Sequence, residues 1–142
     1  MKTFALLLVL ALGFANAQTL AEISFVAATS AQLNPAISLP RGSMRAVSDA
    51  SSIIAKVPGH QNYSDWEVYT ASGIAANLQP AFVNQVSSSF AGAGYFVNEQ
   101  NEKTVGNTTH SKYIFTDDMG GTALLYVIRD SQELIWLIAQ GN

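Results

Sequence analysis

The sequence predicts an α+β domain, with one helix packed on a curved antiparallel sheet of about five strands in the order β-α-β-β-β-β. A less regular N-terminal segment precedes it. Three observations lead there. Residues 79–91 carry one apolar stripe at helical spacing. Five segments from Trp66 onward read as strands, by alternation or by short apolar runs bounded by turn residues. The connections between the last four are short and polar, which forces antiparallel neighbours, because a parallel crossover needs about a dozen residues.

The first 17 residues read as an address. "MK" is a small basic start, and Phe4–Phe14 is an unbroken apolar run of 11 residues. A bilayer span needs about 20, so the run suits the core of a secretory signal. Ala15-Asn16-Ala17 places small residues where a signal peptidase reads, which predicts a cut before Gln18. Removing 17 of the 142 residues leaves 125, enough for one hydrophobic core. No second long apolar run follows, so no membrane span is expected in the mature chain. The expected division is a signal peptide over 1–17, an N-terminal segment over 18–65 packed on the core, and the α+β core over 66–142.

In the N-terminal segment, "TLAEISFVAATSAQL" fits neither helical nor strand periodicity, and "NPAISLPRGS" reads as extended chain and turn. A short helix is expected over about 49–57. Ser48 would accept from a free N–H at its start, Asp49 would favour the positive helix end, and Pro58-Gly59 would stop it. "WEVYTA" alternates, with Trp66, Val68 and Thr70 on one side and Glu67 and Tyr69 on the other. Pro80 suits a first helical turn. Phe82, Val83, Val86 and Phe90 form the stripe, and Gly92 and Gly94 offer a left-handed exit. Strands are then expected from Tyr95 to about Gln100, over 108–116, over 122–129 and over 133–139. "NEKTVGN", "DDMGG" and "DSQ" connect them. The last two strands are apolar at nearly every position, so they should be central or covered on both faces, with the first half of the chain as cover.

This element order resembles the cystatin-like fold over about residues 66–140. Cystatin inhibitors carry Gln-x-Val-x-Gly between the first two meander strands. Here Gln100 to Gly106, "QNEKTVG", holds those residue types at a different spacing. The Pro-Trp of a later cystatin hairpin has no counterpart, since that turn reads "DSQ" and Trp136 lies within a strand. The resemblance implies a helix wrapped by a sheet and, by analogy alone, protease inhibition.

Composition narrows the chemistry. The absence of cysteine excludes disulfides, thiolate metal sites and a cysteine nucleophile. A small secreted animal domain usually needs disulfides, so their absence points toward a bacterial exported protein. "NYS" at Asn62 and "NTT" at Asn107 match a glycosylation acceptor, relevant only in a eukaryotic secretory pathway. Without Lys2, six basic residues face ten acidic ones, a net charge of −4 that gives no general attraction to nucleic acid.

"DDMGG" has too few oxygen ligands for calcium, and its glycines lead into a strand rather than a helix, so it reads as a hairpin turn. His60 and His110 are the only histidines, and no Gly-x-Ser-x-Gly elbow accompanies them. Glu99 and Glu102 flank the "QNEK" corner as solvated charges. Arg41 and Arg45 flank "GSM" and could clamp an anionic group. Trp66, Tyr69, Tyr95, Tyr113, Tyr126 and Trp136 fall on expected strands. Most should be core, while some rings on a groove could hold a peptide, glycan or lipid-like ligand. The candidate ligand or partner residues are therefore Trp66, Tyr69, Arg41 and Arg45, with no catalytic set, metal or cofactor.

The expected function is a small exported, non-enzymatic binding or structural domain of the bacterial cell envelope. Its partner would be an envelope protein, a glycan or a small ligand. The alternatives are a secreted hydrolase using His110 with a nearby Asp and Ser, and a cystatin-like protease inhibitor acting through the 100–106 corner.

Overall fold

A computed structural model describes residues 22–71 and 73–142, and the expected signal peptide lies outside the described residues. The described residues form one antiparallel sheet of seven strands with one long helix. The strands are β1 (Phe25–Ala27), β2 (Met44–Ala46), β3 (Tyr63–Thr70), β4 (Tyr95–Val105), β5 (Thr108–Asp117), β6 (Thr122–Arg129) and β7 (Leu134–Gly141). A one-turn helix α1 (Ser51–Ile54) precedes β3, and α2 (Gln79–Gly92) links β3 to β4. The spatial order is β1-β2-β3-β7-β6-β5-β4.

The two most apolar strands, β6 and β7, sit in the interior of this order. Their alternate residues enter two different cores. Ala123, Leu125, Val127, Leu134, Trp136 and Ile138 face α2, with Tyr113 and Phe115 from β5 beside them. Leu124, Tyr126, Ile135, Leu137 and Ala139 face the other way. The α2 stripe, Phe82, Val83, Val86 and Phe90, closes the first core, and each such side chain stabilises by roughly 1.5–3 kcal/mol. Phe90 stacks on Phe115 with ring centroids 4.2 Å apart. The N-terminal segment contributes cover to both faces: Ala31, Ile37 and Leu39 join α2, while Ile23, Ala50, Ile53 and Val57 close the second core.

The helix of residues 79–91 is present with Pro80 in its first turn. Gly94, at φ +92°, makes the exit, whereas Gly92 is the last helical residue. Four expectations are corrected. The sheet has seven strands rather than about five, because β1 and β2 are three residues each, too short to show a period. The helix expected over 49–57 is only Ser51–Ile54. Asp49 Oδ1 does accept from Ser51 N–H at 3.0 Å, but Ser48 Oγ accepts from Ser24 N–H at 2.8 Å and so ties down the N-terminal segment. The strand at Trp66 begins earlier, at Tyr63. A bulge between Ser64 and Glu67, with Asp65 at φ 54°, shifts the side-chain parity and breaks the alternation. Finally, residues 101–105 are strand, not connection. The turn between β4 and β5 is Gly106-Asn107 alone, with Gly106 at φ +63° as a two-residue hairpin turn favours. β4 is solvated on both sides there, so no apolar alternation marked it.

Candidate functional site

The expected ligand residues do not form one site. Tyr69 and Arg45 are direct partners across β3 and β2, so they share the α2 face. Trp66 packs with the opposite core, edge-on to Tyr63 at 6.1 Å. Arg41 is exposed in the turn before β2. Tyr69 is fully buried and stacked on Trp136, with centroids 5.5 Å apart. Its hydroxyl donates to Glu67 Oε1. Burial first, and then Glu67, push the Tyr69 phenol far above its usual range, so it stays protonated. Glu67 is itself buried and also accepts from Gln32 N–H (Oε1, 2.7 Å) and Leu33 N–H (Oε2, 2.6 Å). These contacts are a clamp on the N-terminal segment.

The "DDMGG" stretch is a hairpin turn. Asp117 Oδ1 accepts from Met119 N–H (2.9 Å) and Gly121 N–H (2.7 Å), and Gly120 sits at φ +82°. Asp130 closes the "DSQ" turn in the same manner, accepting from Gln132 and Glu133 N–H. His110 has no serine or aspartate hydrogen-bond partner among the described residues. Its neighbour Ser111 points to the other face, toward Glu102 at 3.4 Å. Among the described residues no three His, Asp or Glu side chains converge as metal ligands. Gln100 to Val105, where the cystatin-type loop was expected, pair with β5 as a regular ladder.

A different convergence appears on the face opposite α2. Lys56 and Pro58 follow α1. Asn101, Lys103 and Val105 alternate along β4. His110 and Lys112 lie on β5, and Tyr126 on β6. Together they line an open groove of about 320 Å³. The register assembles it: Asn101 pairs Lys112, Lys103 pairs His110, and Lys112 pairs Tyr126, so all project to one side. Every lysine after Lys2 is therefore in this groove.

No carboxylate lines the groove, and among the described residues none of its lysines has a carboxylate oxygen within 4.0 Å. The nearest acid by contact is Glu99, which accepts from Asn101 Nδ2–H at 2.7 Å. His110 Nδ1 and Tyr126 Oη share a hydrogen bond of 2.9 Å, which fixes the imidazole against the wall. Burial, then the charges of Lys103 and Lys56, hold His110 below its ordinary value of 6.5. Burial raises the Tyr126 phenol. The result is three cations, an imidazole whose protonation burial and the neighbouring lysine charges oppose, and apolar flanks from Pro58, Val105 and Tyr126. Sequence reasoning missed it because residues 101–107 read as a loop. The available signal was the alternation Asn101/Lys103/Val105 against His110/Lys112 across a two-residue turn.

No protein-family model matches the chain, and no characterised protein or solved structure is significantly similar to it. No helix among the described residues is long and apolar enough to cross a membrane.

Proposed function

We propose that this protein is an exported, non-enzymatic binding domain of the bacterial cell envelope. Its ligand is a small molecule or glycan bearing carboxylate or phosphate groups, held in the lysine groove. The observation that carries this is the gathering of Lys56, Lys103 and Lys112 beside His110, without a lining carboxylate, in a chain whose net charge is −3. Like charges held together repel, and an anion relieves that repulsion. Export rests on the three-part pattern of residues 1–17 and on the absence of cysteine. Curling of the sheet over α2 belongs to the same proposal, supported by the bulges in β3 and β4, which bend strands.

The test is calorimetric titration with pyrophosphate, a compact anion, and with oligogalacturonate, an acidic glycan, at low salt. Binding of at least one is expected, weakening as salt screens the charges. Each of Lys56→Gln and Lys112→Gln should cost on the order of 1 kcal/mol, about fivefold in affinity. Affinity should rise from pH 8 to pH 6, because the bound anion draws a proton onto His110. Absence of binding at millimolar concentration, or binding indifferent to the lysines, refutes the proposal.

A further inference from the structure

Among the described residues β4 is the end strand of the sheet, paired only with β5. Beyond Tyr95 it is exposed throughout, including Phe96 (63%), Val97 (55%) and Val105 (60%). The two-residue turn makes Val105 and Thr108 a hydrogen-bonded pair. Alternate residues from there bond to β5, while Gln100, Glu102 and Thr104 turn their N–H and C=O groups outward. An edge of this length is a template for another strand. A bulge between Val97 and Glu99 confines the regular stretch to Glu99–Val105.

The side chains of that stretch select a partner. Consider two copies of β4 running antiparallel about a two-fold axis perpendicular to the sheet, so that each keeps its face. Centred on Asn101, Glu99 lies opposite the second copy's Lys103, and Lys103 opposite the second copy's Glu99. Gln100 meets Glu102 on the other face. Centring on Glu102 or on Lys103 instead opposes that residue to itself. Centring on Gln100 leaves Glu99 against Asn101. Opposite charges directly across a ladder attract and like charges repel, so the same residues that blunt this edge against foreign strands complement it in one self-register.

We infer that two copies of this protein associate through β4, antiparallel and centred on Asn101, into a continuous fourteen-stranded sheet. The contact is one strand wide, below the area of a permanent dimer, so association is weak and concentration-dependent. It also sets the second copy's Glu99 against Lys103, so anion binding in the groove and dimerisation oppose each other.

The experiment is sedimentation analysis across about 1 µM to 1 mM protein, in buffer free of multivalent anions, with far-UV spectra confirming each variant's fold. The wild-type mass is expected to rise toward twice the monomer. Glu99→Lys and Lys103→Glu should each weaken the dimer by about tenfold or more, and the double swap should restore it. Amide exchange at Gln100, Glu102 and Thr104 should slow with concentration in the wild type. A monomer throughout the range overturns the inference, as does a dimer indifferent to the single swaps or a double swap without recovery. Exchange at those amides that does not depend on concentration also overturns it.

Discussion

Replacing Glu67 probes how the N-terminal segment is held on the sheet. Its carboxylate accepts three hydrogen bonds, from Gln32 N–H, Leu33 N–H and the Tyr69 hydroxyl, in a residue only 7% exposed. A hydrogen bond to a charged group is worth about 1.5–3 kcal/mol. In Glu67→Ala the two backbone donors are partly exposed and regain water, while the Tyr69 hydroxyl, in a fully buried residue, does not. The net cost is then about 3–6 kcal/mol, a large share of the roughly 5–15 kcal/mol that holds a domain together. Glu67→Gln keeps one acceptor oxygen but turns an amide N–H₂ toward a backbone donor, and should cost about 2–3 kcal/mol. Tyr69→Phe removes one donor and leaves the other two bonds, for about 1.5–3 kcal/mol. Urea unfolding followed by tryptophan fluorescence gives these differences by linear extrapolation. Limited proteolysis should also open residues 28–39 in the Ala variant first. A Glu67→Ala loss below about 1 kcal/mol with an unchanged urea slope would sink the clamp.

Two further outcomes test the core and the groove. Phe90→Ala should cost about 3–5 kcal/mol in the same assay, since Phe90 is fully buried and stacked on Phe115; a loss under about 1 kcal/mol would refute its place in the core. His110 titrates lower in the folded protein than its ordinary 6.5, so the unfolded chain takes up the proton first as pH falls. Its contribution is therefore present above pH 6.5 and lost below it, and wild type should lose stability more steeply than His110→Gln from pH 7 toward 5. Equal slopes would show that the imidazole feels no surrounding charge or burial.

Much of the architecture was readable because the patterns are local. α2 announces itself through Phe82, Val83, Val86 and Phe90 with Pro80 at its start, and β6 was bounded correctly as 122–129 by the turn residues on either side. What escaped had no local period. β1 and β2 are three residues long, and Ser48 was expected to cap a helix but bonds to Ser24 instead. The candidate residues scattered for a related reason. Strand parity puts Trp66 and Tyr69 on opposite faces, as their spacing of three requires, and no property of the side chains alone brings Arg41 to either.

The order of residues by itself decided that the last third forms an antiparallel meander, that its final two strands are hidden on both sides, and that one amphipathic helix closes a core. Short connections and apolar patterning leave a chain few other ways to remove those side chains from water. Only the folded sheet decided which residues meet. Lys56 lies 47 or more positions before Lys103 and Lys112, and it joins them because the second core holds Val57 on the same face as Tyr126 of β6, beside the strands that carry the other two. Burial of apolar surface is non-directional and fixes that something covers the sheet, whereas register and packing fix where each charge ends up.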